Sequence, residues 1–208
     1  VNRFVEDKSG NIWIGTNGGG LIYFDRKENT FKQYLHDPNN KNSLSNNVIV
    51  SMWIDHHGIL WIGTYFGGLN SFDGRQFTHF RHSDSDSSSL SSDNVWEIFE
   101  DHENNLWIGT LGGGLDLFDR KTNRFQHYQY NGKPQDYLPS NYISSILQDK
   151  EGILWVGTSG GVTLSKKDKA VTVLHQCGLT HNLHKNNVTC LLQETPGRIW
   201  TGTREGLT

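Results

Sequence analysis

The sequence predicts an all-β chain of repeated antiparallel sheets, and three observations lead to that prediction. A W-[IVT]-G-T word recurs at intervals of 45 to 48 residues, which indicates a repeat architecture. A glycine-containing turn follows each word, and the chain has 23 glycines but only four prolines. Short apolar runs alternate with turn signals, and no helical period follows the glycines. The five words begin at Trp13, Trp61, Trp107, Trp155 and Trp200.

The first strand and first turn of a repeat are clearest in the second copy. Residues 48–54 are apolar on both faces and predict a strand buried on both sides. The next four residues, 55–58, predict a tight turn, in which Asp55 hydrogen-bonds its own backbone and Gly58 takes a positive φ at little cost. Three further strands are predicted at 59–64, 69–72 and 77–80.

Four antiparallel strands in about 46 residues are typical of one blade of a β-propeller. The first strand of each blade is expected to line the central channel and the fourth to lie at the rim. The whole chain predicts a propeller fragment of about four and a half blades, because the first blade has a shortened inner strand and the fifth lacks its outer strand. We expect either an open arc or two copies that cover each other's exposed blade faces. The predicted blades are residues 1–34, 35–82, 83–129, 130–176 and 177–208, the last one incomplete.

The repeated glycines and acids are predicted to be structural. A phosphate-binding glycine loop opens a helix, whereas these glycines join two strands. Gly63 and its equivalents lie inside a strand, where glycine usually marks the close approach of another backbone. An acidic residue also recurs shortly before each Trp and is interpreted as a turn cap that helps to hold the blade together. Three of these acids are Asp55, Asp101 and Asp149.

The D-x-x-G-x-[LI]-W-[IV]-G-T-x-x-G-G-[LV] word, with S-L-S-x-[ND] before it, resembles the two-component regulator propeller repeat. The resemblance extends over nearly the whole chain. It implies the periplasmic sensor region of a Bacteroides-type hybrid two-component system, in which a sensor histidine kinase and a response regulator share one chain. Members of this family carry two successive propellers and respond to breakdown products of polysaccharides. The resemblance therefore implies that the remaining blades and a second propeller are partners of this chain.

Composition argues against several other classes of protein. The net charge of −3, without a Lys/Arg run, does not suggest a nucleic-acid partner. No apolar stretch is long enough to insert into a membrane. Cys177 and Cys190 fit neither a metal pattern nor a disulfide framework, and Cys190 is predicted to be a small core residue. The ten histidines follow no metal-binding word and are predicted to be solvated loop residues. No cofactor and no metal are expected.

Positions that vary between repeats on one face are the candidate ligand contacts, because the scaffold does not explain them. Exposed aromatic side chains could stack on a sugar ring, and amide or guanidinium groups could supply directed hydrogen bonds. For the polar residues at the starts of the inner strands, the satisfaction of turn amides is the favoured alternative. For Trp96, packing between blades is favoured over a place at the channel mouth. The candidates are Tyr65, Phe66, Asn17, Arg204, Asn47, Asp93, Asn141 and Trp96.

Three functional hypotheses follow. The first is a ligand-sensing fragment of a hybrid two-component receptor that responds to oligosaccharides. The second is a non-catalytic scaffold for receptor dimerisation or another protein interaction. The third, a glycan-active enzyme, is disfavoured, because a catalytic carboxylate pair should depart from the repeat and no pair does.

Overall fold

Strands and turns make up the computed structural model, which describes residues 1–133, 138–166, 169–174, 187–204 and 206–207. Within these residues the chain forms five separate antiparallel sheets and no helix. The predicted all-β propeller fragment is therefore confirmed, and the sheets do not close into a ring. Cys177, His175, His181 and His184 lie outside the described residues. No helix of the described part is long and apolar enough to span a membrane.

Consecutive strands pair in every sheet. The first sheet contains β1 (Arg3–Glu6), β2 (Ile12–Gly15), β3 (Leu21–Asp25) and β4 (Thr30–Tyr34). The second contains β5 (Ile49–Ile54), β6 (Leu60–Thr64), β7 (Gly68–Phe72) and β8 (Phe77–Phe80). The third contains β9 (Val95–Glu100), β10 (Leu106–Thr110), β11 (Leu115–Asp119) and β12 (Arg124–Tyr128).

The fourth sheet contains β13 (Ile143–Gln148), β14 (Leu154–Thr158), β15 (Gly161–Lys166) and β16 (Lys169–Leu174). The fifth contains β17 (Val188–Thr195), β18 (Arg198–Thr203) and β19 (Gly206–Leu207). The inner strands β1, β5, β9, β13 and β17 contact one another in that order, so they follow the channel side. Each sheet falls in one predicted blade, while the exact blade boundaries stay a prediction.

The glycine of each of the first four W-[IVT]-G-T words provides the space for the next blade. A Cβ built on Gly63 would lie 2.6 Å from Cγ1 of Val95, which opens the following inner strand. The same close approach is found for Gly15 with Ile49, Gly109 with Ile143 and Gly157 with Val188. The expected close approach therefore exists, but the approaching group is mainly a β-branched side chain and not a backbone.

The hydrophobic core is divided into clusters that each lie between two blades. One cluster joins Trp61 and Leu69 of the second sheet to Ile98 and Phe118 of the third. Equivalent clusters join the first sheet to the second and the third to the fourth. Because a blade buries its faces only against its neighbours, large apolar side chains of the first and last sheets remain open. These include Phe4, Phe31 and Leu192, each at least 64% exposed.

The repeated acid binds both its own turn and the Trp indole. Oδ1 of Asp55 accepts hydrogen bonds from the backbone N–H groups of His57 and Ile59, which confirms the predicted turn cap. Oδ2 accepts the Nε1–H of Trp61 at 2.8 Å, a bond that the sequence analysis did not predict. The same indole–carboxylate bond joins Trp107 to Asp101, Trp155 to Asp149 and Trp200 to Glu194.

One buried ion-pair network ties the second blade to the third. Arg120 donates to Oδ2 of Asp55 at 2.7 Å and to Oε1 of Glu100 at 2.6 Å. Burial alone would raise the pKa of Asp55, but the hydrogen bonds from Trp61 and Ile59 and the Arg120 charge hold it below its usual value. The Asp55 carboxylate thus binds its own turn, the Trp61 indole and Arg120 of the neighbouring blade.

The prediction for Cys190 is wrong, and the prediction for the loop histidines leaves out one contact. Cys190 is exposed and not in the core, because it occupies the position opposite Gly202 on β17 and no described sheet packs beyond that strand. The loop histidines His36 and His82 are exposed, as predicted. Nδ1 of each ring also contacts a carbonyl oxygen, that of Leu44 for His36 at 2.7 Å and that of Leu90 for His82 at 2.8 Å. These rings fasten the inter-blade loops, whose leucines are completely buried.

Candidate ligand-binding face

Two cavities open side by side where the strand 2–3 turns meet the starts of the inner strands, a place we call the channel mouth. The Arg3 cavity has a volume of about 550 Å³. The Arg204 cavity has a volume of about 500 Å³. The Arg3 cavity is lined by Val1, Asn2, Arg3, Asn17, Val48, Val50, Tyr65 and Trp96. The Arg204 cavity is lined by Trp96, Leu111, Tyr142, Ile143, Ser144, Ser159, Asn187, Val188, Thr189 and Arg204.

Local strand pairing explains why turns and inner strands converge there. Asn17, in the first strand 2–3 turn, forms an isolated antiparallel bridge with Val48 at the start of the next blade. Leu111 and Tyr142 form the same bridge two blades later. Each turn is thus held against the beginning of the following inner strand, and side chains from both point to one edge.

Trp96 forms the wall that the two cavities share. It follows Val95 in β9, beside an irregularity in the pairing with β10 at Gly109 and Thr110. Its side chain is 37% exposed and lines both cavities. The preference for packing between blades was therefore wrong, and Trp96 lies at the channel mouth.

The two aromatic residues in the strand 2–3 turn of the second blade, Tyr65 and Phe66, have different surroundings. Tyr65 is 42% exposed and lines the Arg3 cavity. Phe66 is 59% exposed, lies outside the lining of both cavities, and packs edge-on against Tyr65 with ring centroids 4.2 Å apart. Phe66 has a φ of 58°, at the position where other repeats have Gly18 and Gly112 with positive φ. A bulky residue in this conformation is uncommon and strained.

The polar residues at the inner-strand starts are used by the scaffold. Their Oδ1 atoms accept backbone N–H groups of the preceding inter-blade loops at 2.7 to 2.8 Å: Asn47 from His36, Asp93 from His82, and Asn141 from Tyr130. Their carbonyl oxygens accept amides of the glycine turns. None of the three lines either cavity, so ligand contact by Asn47, Asp93 or Asn141 stays a prediction that this geometry does not favour.

Sequence reasoning missed Tyr142 and Arg3. Tyr142 is 57% exposed and occupies the inner-strand start where the second repeat has Val48, so its departure from the repeat was a usable signal. Arg3 lies opposite Gly15 in the shortened first strand and reaches Glu97 of the third blade. No local pattern indicates that contact, because 94 residues separate the two partners.

The arginines around the channel mouth differ in whether a carboxylate pairs with them. Burial raises the pKa of Glu97 to about 7 although its partner Arg3 opposes the shift. Arg81 lies 3.6 Å from Asp93. Arg204 has no ion pair with any residue that the structure describes. Among those residues, no three His, Cys, Asp or Glu side chains are grouped so that they could hold a metal ion.

The chain has the features of a β-propeller repeat protein: successive four-stranded blades, glycine-containing turns and a repeated indole–carboxylate hydrogen bond. The resemblance to one family is confirmed: the two-component regulator propeller model matches residues 1–18, 89–112 and 137–160. No curated protein matches the chain in sequence.

Solved structures share the propeller fold. The extracellular domain of a hybrid two-component system from B. thetaiotaomicron is 28% identical, with a TM-score of 0.79 over 98% of this chain and 27% of that chain. The extracellular domain of a one-component system from the same organism is 22% identical, with a TM-score of 0.73 over 99% of this chain and 28% of that one. Our chain thus spans little more than a quarter of these two proteins.

The propeller fold also occurs in proteins that are not sensors. Virginiamycin B lyase from Staphylococcus aureus has a TM-score of 0.69 at 13% identity, over 99% of this chain and 67% of the lyase. Identity at this level shows a common fold and nothing about activity.

Proposed function

We propose that this chain is a ligand-sensing part of the extracytoplasmic region of a hybrid two-component receptor and that it responds to oligosaccharides. The family match and the similarity to an extracellular receptor domain support a sensing or scaffolding role. The observation that carries the oligosaccharide proposal is the pair of cavities at the channel mouth, with exposed Trp96 between them.

The chemistry of this face suits sugars. Tyr65, Trp96 and Tyr142 offer flat apolar surfaces that can cover the C–H face of a pyranose ring. Asn17 and Asn187 stand beside them with amide groups that can both donate and accept hydrogen bonds. Concave sites of about 300–1,000 Å³ with few polar groups are typical of small-molecule binding.

Transmission would use the blades as rigid bodies. Buried apolar clusters join the first four blades in series, so we expect the inner strands of these blades not to move independently when a ligand binds at the channel mouth. A ligand shifts a receptor equilibrium only by its different affinity for the two states. We therefore place the signal in a change of contact between this propeller and its partners, which would be the remaining blades and a second propeller of a periplasmic receptor.

We propose no catalytic role for this face. Its carboxylates have structural partners, since Glu97 is paired with Arg3 and Asp93 accepts the His82 amide. A glycosidase needs two carboxylates free to flank a scissile bond. An assay for new reducing ends with oligosaccharides that bind would contradict this part of the proposal if it detected turnover.

Direct titration tests the proposal. The 208-residue chain is titrated calorimetrically with defined plant, fungal and host oligosaccharides, and then Trp96→Ala is compared with Phe31→Ala. Phe31 is a matched control because it is an exposed aromatic residue on the outer strand β4. We expect Trp96→Ala to weaken binding by about tenfold or more, since stacking and burial of an aromatic ring supply that much, and Phe31→Ala to leave it unchanged. Absence of binding by every oligosaccharide, or equal affinity of both variants, would contradict the proposal.

A scaffold role is the second candidate, and one observation favours it. Phe4 and Phe31 of the first sheet and Leu192 and Leu207 of the last are 64–67% exposed on the two outermost blades of the described chain. Light scattering of the chain with and without ligand separates the two roles. A dimer that forms without ligand and is lost in Phe4→Ser supports the scaffold, whereas a monomer under all conditions argues against it.

A further inference from the structure

The two cavities at the channel mouth repeat the same set of chemical groups on either side of Trp96. Each contains one exposed tyrosine: Tyr65 in the Arg3 cavity and Tyr142 in the Arg204 cavity. Each also contains one arginine and at least one asparagine. A site with two similar halves around a central aromatic wall fits a ligand with two similar units.

Arg3 and Arg204 are the only charged side chains among the described residues that line the two cavities. Arg204 lines its cavity without an ion pair to any described residue. Arg3 lines the other cavity, and one of its guanidinium nitrogens, Nη2, donates a hydrogen bond to Glu97. None of the described residues that line either cavity is Asp or Glu, so no described lining side chain repels an anion.

Glu97 stands behind Arg3 and not in the cavity. Its side chain is 16% exposed, against 44% for the Arg3 side chain, so Arg3 is the member of the pair that a ligand can reach. A guanidinium group has five N–H donors in a fixed plane, and one contact with a carboxylate leaves others available for a second acceptor. Glu97 thus offsets part of the Arg3 charge from outside the cavity.

We infer that the ligand of this face is an anionic oligosaccharide, in which carboxylate or sulfate groups on sugars either side of Trp96 are bound by Arg3 and Arg204. The inference rests on the proposed function, because it assigns the ligand class of the same site. Arginine is suited to both anions, since its planar donors pair with two oxygens at once. The aromatic residues bind the ring faces, and the arginines select for charge.

The test compares ligands that differ only in charge. Trigalacturonate and its methyl ester have the same sugars and linkages, but only the acid carries carboxylates. We expect the acid to bind the 208-residue chain at least about tenfold more tightly than the ester, in keeping with a charge-assisted hydrogen bond, and its affinity to fall as salt is raised. A sulfated galactan trisaccharide forms the second arm, and preference for it over trigalacturonate assigns the anion as sulfate.

Variants assign the contacts. Arg204→Gln should remove most of the preference for the anionic ligand, while Arg75→Gln, an exposed arginine of the hairpin between β7 and β8, should leave it intact. Glu97→Gln should strengthen binding of the acid and leave the ester unchanged, because it frees the Arg3 charge; a merely structural role of Glu97 would change both ligands equally.

Two results would overturn the inference. Equal affinity for the acid and the ester, or a preference for the acid that survives Arg204→Gln, would show that charge is not selected here. If neutral oligosaccharides bind while both anionic ones do not, the inference fails and the proposed function stands. If no oligosaccharide of either kind binds, both fail together.

Discussion

Replacing Gly109 by alanine should push two blades apart. Gly109 lies in β10 with an ordinary negative φ, so alanine is compatible with its backbone. The added Cβ would lie 2.6 Å from Cγ2 and 3.0 Å from Cβ of Ile143. Carbon atoms normally meet at about 3.5–4.0 Å, so the overlap is close to 1 Å. Ile143 is completely buried and cannot turn away into solvent.

The loss of stability depends on how far the groups around Gly109 can move. Both strands are fixed by backbone pairing within their sheets, and Ile143 belongs to the cluster between the third and fourth blades. Overpacking of a filled site costs about 1–3 kcal/mol. We expect Gly109→Ala to lower the free energy of unfolding by about 1–3 kcal/mol. The value should lie near the upper end of this range, because the new Cβ is fixed to the backbone and the Ile143 side chain that it meets is stiff and β-branched.

A double-mutant cycle measured by urea unfolding, followed by tryptophan fluorescence, isolates the contact. Ile143→Ala alone should cost about 2–5 kcal/mol through the cavity it leaves. In the double variant the alanine at 109 partly fills that cavity, so the combined loss should be smaller than the sum by about 1 kcal/mol or more. Ile49→Ala is the control, because Ile49 occupies the equivalent place against Gly15 and not against Gly109.

The control pair should be additive within about 0.5 kcal/mol. If Gly109→Ala costs less than about 0.5 kcal/mol, or if its effect adds to that of Ile143→Ala as it does to that of Ile49→Ala, the glycine is not there to admit the next blade.

Two further predictions concern single side chains. The buried Asp116 carboxylate, 2.7 Å from Nδ1, raises the pKa of His127 above its usual value of 6.5. This contact therefore stabilises the fold fully below about pH 6.5, and the stabilisation is lost as pH rises through the folded-state pKa. His127→Gln should flatten the fall in unfolding free energy above about pH 6.5, and an unchanged profile would contradict this. Phe66→Gly should raise the free energy of unfolding by up to about 1 kcal/mol, because relief of about 1–2 kcal/mol of positive-φ strain exceeds the entropic cost of glycine at about 0.4–1 kcal/mol. The same urea titration measures it, and a loss of more than about 1 kcal/mol would mean that the contact with Tyr65 matters more than strain.

The scaffold was readable from the sequence because its determinants are local. The strand predicted at 48–54 is found at 49–54, and the strand predicted at 77–80 is found there. Asp55 caps its turn because a carboxylate reaches its own backbone two and four residues later, whatever the rest of the fold does. The indole bond of Trp61 to the same acid spans only six residues and could have been predicted from the constant spacing.

The candidate site was only partly readable. Tyr65 was found because it departs from the repeat in an exposed turn, and Tyr142 departs in the same way but was overlooked. Asn47, Asp93 and Asn141 were ambiguous, since one residue type can serve a turn amide or a ligand, and the structure places their oxygen atoms on turn amides.

The sequence by itself determined the repeat, the strand order and the turns, because these depend on hydrophobic period and on contacts within a few residues. The tertiary structure alone decided which side chains meet between blades. A strand irregularity exposes Trp96 at the channel mouth, and Arg3 reaches Glu97 across 94 positions of sequence. These outcomes depend on how whole sheets pack around the channel, a geometry that no single repeat contains.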